Sequence, residues 1–161
     1  MKFILRDYQP ADADQVNKIA VDAFQQFKRN YSNWDVFIRG VGQMSNLSKT
    51  AEIIVAELSG EIVGAVGYIG PNVPKSIFPI DIPCIRMLVV GPQARGLGIG
   101  RALTQECVNR AERDHASKIG LHTSPIMDVA LPLYLRMVFV KEADIEQIRG
   151  VPYAVYYKRL G

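Results

Sequence analysis

A run of glycines and arginines, from Gly91 to Arg101, directly follows an apolar stretch in the middle of the chain. This order is typical of a strand, a glycine-rich turn and the first turn of a helix. The N–H groups of a first helical turn have no partner inside the helix and carry partial positive charge. Glycine lets an anion approach the backbone closely, and Arg95 adds charge beside Arg101. The segment therefore predicts a diphosphate-binding site.

Three classes of glycine-rich phosphate site compete for this segment. A Walker A loop needs a Lys-Ser or Lys-Thr pair directly after its glycines, and none follows here. A dinucleotide fingerprint, G-x-G-x-x-G, fails because the third position counted from Gly96 and Gly98 is Arg101. The third pattern, Q/R-x-x-G-x-G/A, is matched by Gln93, Gly96 and Gly98. The residues therefore favour the third class.

Two segments together resemble the GNAT superfamily of N-acetyltransferases. Residues 86–103 are similar to that family's acyl-CoA-binding motif, and residues 130–139 are similar to its A-x-x-L-Y-x-x-x-G-F motif. Leu5, Arg6 and Asp12 also resemble the family's first strand and helix. The resemblance extends over nearly the whole chain, and the two motifs occur in the family's order and spacing.

The resemblance implies that acetyl-CoA is the donor and that an amine attacks its thioester directly in a ternary complex. It also implies that backbone N–H groups of residues 95–101 bind the pyrophosphate and that residues 88–90 pair with pantetheine as an added strand. Tyr134 matches the family's tyrosine near the CoA sulfur, where a phenol can donate a proton to the thiolate. The implied cofactor-binding residues are Leu88, Val89, Val90, Gln93, Arg95, Gly96, Leu97, Gly98, Ile99, Gly100, Arg101, Ser124 and Tyr134.

Two positions depart from the pattern beside the implied pantetheine site. Val138 replaces the glycine that shapes the turn after the second motif. Met127 replaces an asparagine that faces pantetheine in many members, and Ser124 is the substitute that we expect.

A third departure concerns the general base. Cys84 stands where many members carry a glutamate that serves as the base, often through water. His122 is the catalytic residue that we expect instead, because it lies late in the strand beside the gap expected for CoA and an unperturbed histidine titrates near neutral pH. Glu57, Asp81 and a base-free route through water are the alternatives. We do not expect Cys84 to act as a nucleophile, since buried cysteines are usually inert.

The acceptor side is expected on loops, because binding residues sit on loops around a rigid scaffold. Residues 31–47, 70–83 and 143–150 would form its rim, and Tyr31, Trp34 and Phe78 either line it or pack in the core. The sequence shows no ring of acidic residues of the kind that would indicate a polycationic acceptor. We expect a primary amine of a small molecule or a peptide as acceptor. A non-catalytic acyl-CoA-binding sensor is the alternative function.

The hydrophobic periodicity predicts the elements that position these residues. The helices predicted are 12–28, 34–44, 98–115 and 125–136, and the strands are 3–6, 51–58, 61–69, 84–90, 117–122, 139–141 and 152–158. Asp12 with Gln15 is typical of a capping box, and Ser59-Gly60 of a tight hairpin. The resemblance implies a mixed α/β fold with a mostly antiparallel sheet of six to seven strands. Helices would cover both faces, and strands 4 and 5 would splay apart.

The composition sets the remaining expectations. A length of 161 residues predicts one domain, 1–161. A net charge of +3 is too small for a protein that coats nucleic acid, and no apolar run is long enough to cross a membrane. Two cysteines and a charged N-terminal segment predict neither a disulfide framework nor a signal peptide, so we expect a cytoplasmic protein with no metal. An edge strand or the closing hairpin is the expected contact if the protein forms a homodimer.

Overall fold

The computed structural model, which describes residues 2–161, contains a seven-stranded sheet surrounded by helices. The strands are β1 (Ile4–Asp7), β2 (Glu52–Leu58), β3 (Glu61–Ile69), β4 (Cys84–Val90), β5 (Lys118–Thr123), β6 (Val140–Ile148) and β7 (Val151–Arg159). The helices are α1 (Ala13–Phe24), α2 (Trp34–Val41), α3 (Ile99–Arg113) and α4 (Ala130–Arg136). The strand order is β1-β2-β3-β4-β5-β7-β6, and β4 with β5 is the one parallel pair among these strands. The expected mixed α/β fold is confirmed.

Helices cover both faces of the sheet because its central strands are apolar on both sides. Ile54 of β2 packs with α3 and α4 in one buried cluster. Its neighbours Ile53 and Val55 pack with α1 and α2 in a second cluster on the other face. The alternation of side chains along a strand sends adjacent residues to opposite layers. Within residues 2–161, no helix is long and apolar enough to cross a membrane.

The sheet opens between β4 and β5. These strands are joined at a single register pair, Cys84 with Gly120, where the Gly120 N–H donates to the Pro83 carbonyl over 3.0 Å. Beyond that pair the strands separate, although β4 continues to Val90 and β5 to Thr123. The expected splay is confirmed, and it leaves one edge of β4 without a strand partner.

Two-residue turns close both β-hairpins. Ser59 and Gly60 have φ values of 53° and 83°, and Arg149 and Gly150 have φ values of 47° and 82°. Positive φ at both central residues is the geometry that matches the twist of a hairpin. The tight turn predicted at Ser59-Gly60 is confirmed.

The prediction of a strand over 139–141 followed by a loop over 143–150 was wrong, because β6 extends over Val140–Ile148. The strand lies at the edge of the sheet, and nearly all of its residues are exposed. The charged sequence of β6 therefore resembles that of a loop, because an exposed edge strand lacks the alternation of apolar and polar residues from which a strand is predicted.

The predicted helices were too long at several ends. The helix predicted over 12–28 ends at Phe24 and continues as a 3-10 turn, Gln25–Phe27. The one predicted over 34–44 ends at Val41, and the one predicted over 125–136 begins at Ala130, after a turn. Helix α3 over Ile99–Arg113 is close to the prediction.

The expected pairing of Asp12 with Gln15 was also wrong. The Asp12 carboxylate accepts hydrogen bonds from the Gln9 N–H at 2.7 Å and from the Arg6 guanidinium at 2.8 and 3.0 Å. The Gln15 amide oxygen instead accepts from the Ile62 N–H over 3.2 Å. A charged partner within reach binds a carboxylate more strongly than a neutral backbone group does. Asp12 therefore fixes β1 to the start of α1.

Candidate functional site

The segment between β4 and α3 forms an open backbone cradle. Gly96 has a φ of 81° and Gly98 has a φ of 84°, a conformation that glycine adopts without strain. A Cβ atom built at either residue would meet no atom within 4 Å. Both glycines therefore present their backbone to open space rather than to the core.

Helix α3 begins at this cradle without a side-chain cap. Gly98 is its N-cap residue, and the first bond inside the helix is from the Ala102 N–H to the Gly98 carbonyl. The N–H groups of Ile99, Gly100 and Arg101 therefore have no partner in the helix. Their partial positive charge adds to that of the arginines, so the cradle suits a diphosphate.

The side chains of the cradle divide into exposed and buried ones. Gln93, Arg95, Leu97 and Arg101 are exposed. Neither arginine forms an ion pair within residues 2–161. Ile99 is buried instead, and it packs so close to β3 that a Cβ at Gly64 would lie 2.9 Å from its Cγ2. The buried side chain anchors the cradle to the sheet while the charged ones remain available.

A bulge in β4 lies between the cradle and the point where β5 diverges. Val89 pairs with Ala65 and Arg86 pairs with Gly67, so β4 carries one residue more than β3 over this interval. Met87 has a φ of 61°, which is rare for a residue with a long side chain. A bulge of this kind changes the direction in which the neighbouring groups point. Nothing in the sequence predicts this bulge, because methionine gives no signal for positive φ.

A cavity of about 520 Å³ opens where β4 and β5 separate. Helices α1, α2 and α4 and the turn between β6 and β7 complete its wall. The lining residues are Phe24, Val36, Phe37, Gly40, Val41, Gln43, Met44, Asn46, Leu47, Ile85, Arg86, Met87, Leu88, Leu121, His122, Thr123, Met127, Ala130, Tyr134, Ile148, Arg149 and Tyr153. Three of the expected site residues, Leu88, His122 and Tyr134, thus meet in one cavity.

Tyr134 is held in the wall of the cavity by the apolar core. It lies on α4, is 5% exposed, and its ring packs against Phe139 with centroids 5.8 Å apart. Within residues 2–161 its hydroxyl has no hydrogen-bond partner. Burial raises its pKa well above the ordinary value of a phenol. The hydroxyl is therefore protonated at neutral pH and can act as a donor.

His122 carries a buried polar atom that the protein leaves unsatisfied. Its Nδ1 has no hydrogen-bond partner among the described residues. Burial, and next to it the positive charge of Arg86, lower the pKa of His122 to about 4. The expectation of a pKa near neutrality was therefore wrong, and the imidazole is uncharged at neutral pH.

The alternative bases do not reach the cavity. The Glu57 carboxylate accepts from Arg6 Nε over 3.0 Å in an ion pair on β1 and β2. Asp81 is exposed on the loop before β4 and does not line the cavity. Cys84 is buried, and burial raises its pKa to about 11, so its thiol is protonated. Among these groups, His122 alone lies at the cavity.

Ser124 does not take the place expected for it. It is fully buried and does not line the cavity, and its hydroxyl accepts from the Ile126 N–H over 3.3 Å. The expected substitute for the pantetheine-facing asparagine therefore belongs to the turn after β5. Met127, the residue at the position of that asparagine, does line the cavity.

Of the two placements left open for the aromatic residues, lining the acceptor site or packing in the core, the structure shows packing in the core. Tyr31 is 5% exposed, stacks on Phe37, and shares a hydrogen bond between its hydroxyl and that of Tyr153. Trp34 packs in the same cluster. Phe78 is buried below the β4–β5 junction, against Tyr157. Phe37 and Tyr153 reach the cavity themselves, so the predicted residues support its wall.

Comparison with solved structures shows the fold of this chain in other proteins. A GCN5-related N-acetyltransferase from Rhodopseudomonas palustris has a TM-score of 0.78 and 22% identity, with 99% of this chain and 97% of that chain covered. Histone acetyltransferase HPA2 and related acetyltransferase from Corynebacterium glutamicum has a TM-score of 0.77 and 23% identity, covering 100% and 98%. The yncA protein of Salmonella typhimurium, solved with its cofactor acetyl-CoA, has a TM-score of 0.70 and 15% identity, covering 100% and 95%.

Comparison at the level of sequence identifies the family. A search of curated proteins returned no significant match. The model of the acetyltransferase (GNAT) family matches residues 13–139, which contain the cradle, the β4 bulge, His122 and Tyr134. Most of the chain is thus covered by one family model, and the fold agrees with it. The chain therefore belongs to the acetyltransferase (GNAT) family.

Proposed function

We propose that this protein is an N-acetyltransferase that transfers an acetyl group from acetyl-CoA to a primary amine of a small molecule or a peptide. The observation that supports this proposal most directly is the continuous path from the glycine cradle, along the free edge of β4, to the cavity that Tyr134 lines. A diphosphate, an extended arm and a reactive end need these three environments in this order. Membership of the acetyltransferase family supports the reaction class.

The residues of this path suit acetyl-CoA. The open glycines and the unpaired N–H groups at the start of α3 are suited to the pyrophosphate, with Arg95 and Arg101 beside it. The unpaired edge of β4 near Leu88 offers main-chain groups to pantetheine, as a strand offers them to an added strand. When bound, acetyl-CoA supplies an acetyl group activated as a thioester.

Two protein groups are placed to assist the transfer. Negative charge develops on the carbonyl oxygen as the amine attacks, and an N–H group near Val89 or Val90 is our candidate to stabilise it. The protonated hydroxyl of Tyr134 is our candidate to donate a proton to the departing sulfur. Both groups lie on buried elements, which restricts the water around them.

The proton of the attacking amine goes to His122 or to water in this scheme. His122 lines the cavity, and its neutral imidazole is our candidate to accept a hydrogen bond from the amine and orient it for attack. A pKa of about 4 makes this imidazole a weak proton acceptor. We therefore assign His122 first to positioning the amine and only second to proton transfer.

A non-catalytic acyl-CoA sensor is the second candidate. The observation that favours it is the protonated thiol of Cys84 at the position of the usual glutamate. A sensor binds acetyl-CoA without turning it over, whatever amine is added.

Turnover separates the two candidates. The unaltered protein is incubated with acetyl-CoA and a panel of primary amines, and both free CoA thiol and acetylated amine are measured. The proposal expects both products in equal amounts for at least one class of amine. Binding of acetyl-CoA with no acetylated product across amino acids, aliphatic amines, polyamines and peptide N-termini would instead support the sensor.

A further inference from the structure

The cavity described above contains arginine as its sole charged residue type. Arg86 and Arg149 line it, and neither an aspartate nor a glutamate is among the lining residues. An ammonium group on the distant part of an acceptor would meet only positive charge there. The cavity is therefore matched to an acceptor that carries negative charge in addition to its amine.

Arg86 lines the cavity and has no ion-pair partner among the described residues. It lies on β4 next to the bulge, is half-buried, and pairs through its backbone with Gly67. Within residues 2–161 no carboxylate lies within ion-pair distance of its guanidinium. Its positive charge instead acts on His122, Tyr153 and Cys84, where it favours a lower pKa of each group. The described residues show no side-chain hydrogen bond of this guanidinium either, so its donors are available to a ligand in the cavity.

Arg149 brings a second positive charge to the lining of the cavity. It occupies the turn between β6 and β7 with a φ of 47°, and its carbonyl accepts from the Ser32 N–H over 2.9 Å. This bond ties the turn to the segment before α2. Arg149 is half-buried and, like Arg86, forms no ion pair with the described residues.

Much of the remaining wall is apolar. Phe24 and Phe37 lie on one side, and three methionines, Met44, Met87 and Met127, lie around them. Methionine adapts to irregular ligands and makes favourable contacts with aromatic and aliphatic groups. An acceptor that contacts this part of the wall carries an apolar body, and it has to share the cavity of about 520 Å³ with the acetyl end of acetyl-CoA.

We infer that the acceptor is a small amine whose apolar body also carries a carboxylate, and that Arg86 is the residue that binds this carboxylate. The planar guanidinium matches a carboxylate with two parallel hydrogen bonds. Arg149 adds a second positive charge on the other side. This inference rests on the proposed function and specifies its substrate class. It excludes polyamines and lysine-rich peptides as preferred acceptors.

Matched acceptors test the inference in the unaltered protein. The probes are phenylalanine, methionine and leucine, each compared with its carboxamide and with the amine that lacks the carboxyl group. Rates are compared at equal concentrations of uncharged amine, so that differences in amine basicity do not enter. The expected result is a kcat/KM for the carboxylates higher by a factor on the order of ten to a hundred, the contribution of a hydrogen-bonded charge.

Substitutions at Arg86 assign the effect to that residue. Arg86→Gln is expected to bring the kcat/KM for each carboxylate close to that for its matched amine, mainly by raising KM for the carboxylate. The ratio of the two values is the readout, because loss of the Arg86 charge also changes the surroundings of His122. Arg86→Lys retains the charge without the planar fork and is expected to be intermediate. Arg159→Gln is the control, because Arg159 is exposed and does not line the cavity. Thermal melting shows whether each variant is folded.

The outcomes separate this inference from the proposed function. Equal or faster acetylation of amines without a carboxylate overturns the inference and leaves the function standing. The same conclusion follows if Arg86→Gln slows both classes of acceptor alike, or if amines without a carboxylate are acetylated and no carboxylate in the panel is. Failure of the unaltered protein to bind acetyl-CoA in calorimetry overturns the function itself, and the inference with it.

Discussion

The phenol of Tyr134 and the imidazole of His122 share one cavity but differ in what burial does to them. Burial favours the uncharged form of both groups, so it raises the pKa of the tyrosine and lowers that of the histidine. A neutral phenol retains a proton to donate, whereas a neutral imidazole retains a lone pair to accept. The cavity thus contains a donor and an acceptor, both uncharged at neutral pH.

Loss of the Tyr134 hydroxyl should slow the chemical step. We expect Tyr134→Phe to lower kcat by about a hundredfold or more, because general acids contribute at least that factor. Binding of acetyl-CoA should change little, since the ring remains in place. Steady-state kinetics with calorimetry measures both effects. Tyr157→Phe, which removes a hydroxyl from outside the cavity, is the control. An unchanged kcat in Tyr134→Phe would remove this residue from the mechanism.

The pKa of His122 should appear in the pH dependence of stability. The folded protein holds this pKa near 4, below the ordinary value of 6.5, so the unfolded chain takes up the proton first as the pH falls. The stabilisation is complete above about pH 6.5 and declines toward pH 4, by about 1.4 kcal/mol per pH unit.

Urea unfolding of the unaltered protein and of His122→Gln between pH 7 and 4 measures this slope. Other acidic groups contribute equally to both proteins, so the difference between the two curves isolates His122. The free energy of unfolding should fall less steeply in the variant. Parallel curves would mean that His122 titrates normally and is not buried as described.

At the scale of elements, the junction of β4 and β5 depends on one glycine. A Cβ at Gly120 would lie 2.5 Å from Phe78 Cε1 and 3.0 Å from Tyr157 Cε1. Gly120 also forms the single register pair with Cys84. The rings of Phe78 and Tyr157 therefore close the sheet below the point where the two strands separate.

A matched pair of Gly→Ala substitutions tests this packing. Gly120→Ala should destabilise the protein by about 1–3 kcal/mol, the usual range for an added methyl group in a filled core. Gly40→Ala, in α2 with no atom within 4 Å of the new Cβ, should stabilise it by up to about 1 kcal/mol. Chemical denaturation gives both values. The same sign for both substitutions would contradict the described contacts.

The secondary-structure elements differ in how well they can be predicted from the sequence. The cradle and α3 could be predicted, because the pattern of a glycine-rich turn before a helix lies in one continuous stretch of the sequence. The bulge at Met87 and the length of β6 could not, because neither positive φ at a methionine nor an exposed edge strand leaves a local pattern. The lowered pKa of His122 could not be predicted from the sequence either, because the burial of this side chain depends on residues that are distant in the sequence.

At the scale of the whole molecule, the proposed donor and acceptor sides are built in different ways. The donor side comes from one continuous segment, β4 to α3, which accounts for its visibility in the sequence. The acceptor side combines residues that are far apart in the chain, among them Phe24, Gln43, Arg86 and Arg149. Only the fold brings these together, and so the sequence alone identifies the donor more readily than the acceptor.

Calorimetry of acetyl-CoA binding tests the central claim most directly. The unaltered protein is compared with Gly98→Glu and with Gly60→Glu as control, because both glycines have positive φ and no atom within 4 Å of an added Cβ. Gly60 lies on the β2–β3 turn, so its substitution introduces the same strain and charge outside the cradle. We predict binding by the unaltered protein and by Gly60→Glu, and none by Gly98→Glu. Absence of binding by the unaltered protein, or equal binding by Gly98→Glu, would contradict the assignment of this cradle to acetyl-CoA.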